Sequence, residues 1–65
     1  MNRIKLVLKD KGIKQTWLAE KLDKSFSMVN DYCNNRRQPS IEDLYRIAKI
    51  LDVKAKDLLI DKEEK

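Results

Sequence analysis

The side chains able to do chemistry are concentrated in one stretch of the chain. Lys14, Gln15, Ser25, Ser27, Asn30, Asp31, Arg36 and Arg37 follow one another within it, with Phe26 and Met28 interleaved. They are donors, acceptors and cations, suited to recognition rather than to bond-making. The chain has no histidine and a single cysteine, Cys33. An intramolecular disulfide and a Cys/His metal cluster are therefore both ruled out. There is no Gly-rich phosphate loop and no carboxylate pair with a pocket, and 65 residues are too few to enclose a substrate. The expectation is a non-enzyme with no cofactor, no metal and no small-molecule ligand.

Charge indicates what could be bound. Residues 1–37 carry nine Lys/Arg against four Asp/Glu, a balance of +5, whereas residues 38–65 carry six against seven, a balance of −1. Such asymmetry suits a polyanion on the N-terminal side; a lysine-rich solvated surface is the plain alternative. Arg36 and Arg37 lie in a polar stretch and are natural clamps for phosphate, or else serve solubility.

These residues need a scaffold, and the chain allows one domain spanning 1–65. A chain this short buries only about 60% of its unfolded surface. Compact helix packing, with or without a partner subunit, must make up the difference. Met1 to Leu8 lacks the long apolar run of a signal peptide, being interrupted by Arg3 and Lys5. No stretch approaches the ~20 apolar residues of a membrane span. A soluble protein of the reducing cytoplasm, with no membrane partner, is expected.

Periodicity and capping predict five short helices. The first covers about 2–10, capped by Asn2, with Ile4, Val7 and Leu8 on one face and Gly12 as a left-handed stop. The second covers 15–22, facing inward with Leu18, Ala19 and Leu22. The third covers 25–34, capped by Ser25, with Val29 and Tyr32 inward and Asn35 able to turn left-handed after it. After the polar loop Arg36–Pro39, Ser40 caps a fourth helix over 41–51, with Asp43 at the capping-box position. That helix carries the clearest apolar stripe: Ile41, Leu44, Ile47, Ala48 and Leu51. Leu58, Leu59 and Ile60 predict a fifth helix over 55–60, followed by a charged tail, 61–65, expected to fray. Strand signals are absent.

Helices two and three are joined only by a few residues around Asp23 and Lys24, which makes two short helices cross steeply. Gln15-Thr16-Trp17-Leu18-Ala19-Glu20-Lys21-Leu22, then Ser25 through Val29, then Asn34-Asn35-Arg36-Arg37-Gln38-Pro39-Ser40 resemble the Cro/XRE-like helix-turn-helix domain of phage repressors and small bacterial regulators. Leu44, Ile47-Ala48, Leu51-Asp52-Val53 and Leu58-Leu59 are similar to that family's last two helices. The resemblance spans residues 3–60. It implies an all-α, compact five-helix, lambda-repressor-like DNA-binding domain with its helix-turn-helix at helices two and three.

The resemblance further implies that helix three enters the major groove of double-stranded DNA. Phe26, Ser27, Asn30 and Asp31 are then the base-contacting residues. Phe26 can pack on a thymine methyl, Ser27 can donate or accept, Asn30 can pair with adenine, and Asp31 can accept from a cytosine amine. The bland alternatives are a Phe26 ring folded back on the helix and an Asp31 salt bridge to Arg36 or a lysine. Lys14, Gln15, Ser25, Met28, Arg36 and Arg37 are the implied phosphate contacts, Gln15 aided by a helix N-terminus. Trp17 is expected to lie over Lys14 or Lys21, or to flank the phosphate backbone.

Five positions depart from the family pattern. Asp23 and Asn35 stand where glycine is usual. Lys14 replaces a Ser or Thr cap. Leu8 and Cys33 replace an arginine and glutamate together, which avoids stranding a buried charge; Cys33 is expected to be core filler. One recognition helix reads few base pairs, so a homodimer on a palindromic operator is expected, with Leu59, Ile60 and the edge of helix four as interface residues. The implied function is transcriptional regulation, as a repressor or a small controller or autoregulator. The alternative from another class is a protein-interaction module that retains the helix-turn-helix fold without specific DNA binding.

Overall fold

A computed structural model describes residues 1–59. Four α-helices and one 3₁₀ turn follow in order: α1 (Ile4–Lys11), α2 (Gln15–Leu22), α3 (Phe26–Cys33), α4 (Ile41–Leu51) and the turn Ala55–Leu58. No described helix is long and apolar enough to cross a membrane.

All four helices close in a similar way. A left-handed residue stands at the C-cap, or one residue past it in α3, with one N–H reaching back across the last turn. At α1 it is Gly12 (φ 67°), and Ile13 N–H donates to Leu8 C=O at 2.9 Å. At α2 it is Asp23 (φ 58°), with Lys24 N–H to Ala19 C=O at 3.0 Å. At α3 it is Asn35 (φ 59°), with Arg36 N–H to Asp31 C=O at 2.9 Å, and at α4 Asp52 (φ 57°), with Val53 N–H to Ala48 C=O at 2.9 Å. These closures satisfy carbonyls that the helix leaves orphaned. Asp and Asn tolerate the left-handed conformation better than most side chains, so the two glycines missing from the family pattern do not change the turns.

Every helix contributes to one core. Ile4 and Leu8 come from α1; Leu18, Ala19 and Leu22 from α2; Val29, Tyr32 and Cys33 from α3; Ile47, Ala48 and Leu51 from α4; Leu58 closes it from the 3₁₀ turn. Leu8 and Cys33 are thus both buried in apolar surroundings.

The structure differs from the sequence reading at both ends of the chain. The segment expected as a fifth helix forms only the single turn Ala55–Leu58, after which Leu59 is extended and bridges antiparallel to Asn2. Arg3 N–H donates to Leu58 C=O at 2.7 Å. Pairing with the N-terminal backbone competes with continued helix and prevails there. Ile60 and the tail 61–65 lie outside the described residues. At the other end α1 begins at Ile4 rather than Asn2. Asn2 is only 4% exposed; its Oδ1 accepts from Ile4 N–H at 3.0 Å, and its Nδ2 donates to Tyr32 C=O and to Gln38 Oε1, both at 2.9 Å. Its own N–H donates to Asn35 Oδ1 at 2.8 Å. Asn2 therefore secures the N-terminus to the loop behind α3.

Asp43 also has a different role. Ser40 Oγ accepts from Asp43 N–H at 3.1 Å, but the Asp43 carboxylate meets Lys24 Nζ at 3.3 Å and Arg46 Nη1 at 3.4 Å. Arg46 in turn donates through Nη2 to Leu22 C=O at 3.0 Å. The reciprocal half of a capping box gives way to a tie between α4 and the α2–α3 turn.

Candidate nucleic-acid interface

The turn Asp23–Ser25 sets α3 across α2. The Ser25 hydroxyl accepts from Met28 N–H at 3.1 Å, fixing the first turn of α3. Leu22, Val29 and Tyr32 are buried, so Val29 and Tyr32 determine which side of α3 faces inward. Phe26, 50% exposed, and Ser27 then stand in solvent at the helix start, with Asn30 and Asp31 half-buried one turn on.

A hydrogen-bonded network runs across this surface. Asn30 Nδ2 donates to Gln15 Oε1 at 3.0 Å, and Asn30 Oδ1 accepts from Arg36 Nη2 at 2.7 Å and Asn34 Nδ2 at 3.2 Å. Arg36 Nε donates to Asp31 Oδ1 at 3.0 Å. Gln15, Asn30, Asp31 and Arg36 are thus joined, although they come from the start of α2, from α3 and from the loop beyond it. The Asp31–Arg36 pair is surface-exposed on the arginine side, and such pairs contribute only about 0–1 kcal/mol. Its significance is geometric: it holds a guanidinium beside the exposed face of α3.

The remaining expected residues surround the network. Arg37 Nη1 lies 3.7 Å from Met28 Sδ. Lys14 is exposed ahead of α2 and makes no side-chain cap. Phe26 and Ser27 stand apart from the hydrogen-bonded group. Trp17, 41% exposed, has Lys21 Nζ 5.5 Å from its ring centroid, so of the two lysines considered Lys21 is the one over the ring. Burial pushes the Cys33 thiol up, with Lys5 opposing. Cys33 therefore stays an uncharged part of the core.

Three contributors were not legible in the sequence. Asn34 extends the network from Asn30. Asn35 and Gln38 brace the arginine loop, Gln38 Nε2 donating to Asn35 Oδ1 at 3.2 Å and both meeting Asn2. The only local signal was the density of amides at 34, 35 and 38, and it names no partner. No group of acidic, cysteine or histidine side chains among the described residues could hold a metal ion.

The surface offers donors and acceptors along one helix face, flanked by cations, which is the layout needed to read base edges between phosphates. Comparison with known proteins agrees with this architecture. The helix-turn-helix family model matches residues 4–58. A protein from Bacteroides fragilis proposed to bind DNA is 40% identical with a TM-score of 0.88, the match covering 89% of this chain and 94% of that one. The N-terminal DNA-binding domain of SinR from Bacillus subtilis is 36% identical with a TM-score of 0.77, covering 95% and 91%. No curated protein sequence matches. With most of its length inside the family model and two such neighbours, the chain belongs to the XRE-type helix-turn-helix family.

Proposed function

We propose that this protein binds double-stranded DNA sequence-specifically and regulates transcription, as a repressor or small autoregulator. The observation that carries the reading is the exposed first turn of α3 beside a network that holds Arg36 in place. Phe26, Ser27 and Asp31 lead as base readers. Asn30 stands behind them, since both ends of its amide are engaged and adenine must displace Gln15 and Arg36. Lys14, Gln15, Ser25, Met28, Arg36 and Arg37 frame the face toward phosphates. Arg36 can exchange Asp31 for a phosphate, which frees the Asp31 carboxylate for a cytosine amine.

The protein acts as a homodimer on a palindromic operator. Support comes from a second surface. Met1, Ile41, Leu44 and Leu59 line a groove of about 270 Å³. Ile41 and Tyr45, 73% and 63% exposed, lie one helical turn apart on α4. Monomers rarely leave clustered apolar side chains in water.

The test is selection of duplexes from a randomised pool, followed by binding of the selected and a scrambled duplex across a salt series. Binding of the selected duplex at least ~10³-fold tighter is the expected result, and its symmetry gives the half-site spacing. Equal, steeply salt-dependent binding to both would reduce the function to phosphate attraction. No binding at low salt would transfer the fold to a protein-interaction role. Sedimentation showing a monomer at high concentration, with and without DNA, refutes the dimer.

A further inference from the structure

We propose that α1 carries a second phosphate-binding site, formed by Lys5 and Lys9 beside the C-terminal end of α3, which grips the DNA backbone outside the segment read by α3. The inference rests on the DNA-binding reading above. A cleft of about 510 Å³ opens between α1 and the residues after α3, and Arg3, Lys5, Lys9, Cys33 and Asn35 are among those lining it. Lys5 and Lys9 are exposed and lie one helical turn apart, a rise of about 6 Å. Neither has a carboxylate partner among the described residues; Lys5 Nζ approaches only Asn34 Oδ1, at 3.5 Å. None of the residues lining the cleft carries a carboxylate. Two cations facing open space with no counter-ion among the described residues favour an external anion.

Continuity with the network identifies that anion. Gln15 joins Asn30, Asn30 joins Asn34 and Asn34 joins Lys5 at 3.0, 3.2 and 3.5 Å. The polar run that begins at the start of α2 and crosses α3 therefore ends at Lys5. A duplex lying on the first part of this run presents its backbone to the last part. The contacts are to phosphate, so they add affinity without sequence preference.

The experiment measures salt dependence of binding, on the selected duplex and on a scrambled one, for the full chain and three double variants. K5A/K9A removes the site, K5R/K9R keeps its charge, and K54A/K56A removes the same charge from residues outside the cleft. Loss of two phosphate contacts lowers the slope of log K against log salt by about 1.8. Between 50 and 200 mM salt the parent then loses about 12-fold more affinity than K5A/K9A does. The expected result is that difference for K5A/K9A alone, with K5R/K9R like the parent and the selected-to-scrambled ratio unchanged. An unchanged slope in K5A/K9A, or an equal fall in K54A/K56A, overturns the α1 site and leaves the DNA-binding reading intact. Failure of the parent chain itself to bind either duplex overturns both.

Discussion

Replacing Asn2 by alanine tests the structural account most severely, because the residue sits next to the terminus, where substitutions usually cost little. Its amide makes three side-chain hydrogen bonds, to Ile4 N–H, Tyr32 C=O and Gln38 Oε1, and all three vanish in Asn2→Ala. Gln38 is exposed and can turn to water. Tyr32 C=O keeps the Asn35 N–H at 3.2 Å, whereas Ile4 N–H belongs to a fully buried residue and is left without its partner. An unsatisfied buried group costs about 1–3 kcal/mol, so the substitution should cost about that much. Against the ~5–15 kcal/mol that stabilises a native domain this is a large share. At about 4–8 °C per kcal/mol for a domain of this size, Tm should fall by about 4 °C or more. Helix ellipticity followed through thermal and urea unfolding measures it. Asn2→Asp sharpens the test: the carboxylate keeps the acceptor for Ile4 N–H but turns an oxygen toward Tyr32 C=O, so it should be at least as destabilising as alanine. A loss below about 0.5 kcal/mol for Asn2→Ala would refute the reasoning, since the amide would then be replaceable by water.

Three further outcomes are expected. Asp23→Gly should stabilise the fold by about 0.5 kcal/mol in urea unfolding, the relief of left-handed strain at φ 58° being partly offset by glycine's greater unfolded-state entropy; a destabilisation would show that the aspartate has a further local role. Burial raises the Cys33 thiol above its ordinary value of 9.0. The unfolded thiol therefore ionises first, and stability should fall as pH rises from about that value toward the folded one; Cys33→Ala should lack this component, and identical pH profiles for the two proteins would contradict it. Ile41→Arg places a charge in the exposed apolar groove, so it should shift sedimentation to monomer and weaken operator binding while leaving the melting of the monomer within about 0.5 kcal/mol; an unchanged dimer would place the interface elsewhere.

Most of what positions the interface is local, and local structure is written in short spacings. Ser25 and Ser40 cap their helices by accepting from N–H groups three residues on. Gly12, Asp23, Asn35 and Asp52 close helices with bonds that span five residues. The inward face of α4 follows from 3.6-residue periodicity. Such features depend on neighbours a few residues away, so the chain order, the four helices and the exposed start of α3 are legible in the sequence.

Only the tertiary structure decided which distant polar groups meet. Asn2 reads as a helix cap from its own neighbourhood, yet it bonds residues 30 to 36 positions away. Asp43 reads as half of a capping box, yet its carboxylate meets Lys24 in the turn between α2 and α3. The last apolar triplet reads as a helix, yet Leu59 pairs with the N-terminal backbone. Gln15 and Asn30 each suggest an independent contact, yet they bond to each other. Sequence by itself determined which faces are apolar, where helices start and stop, and where positive charge accumulates, because propensity, capping and burial act residue by residue. Packing decided the partners of the amides, the carboxylates and the chain ends, because each can bond with many groups and only the folded core brings particular ones within reach.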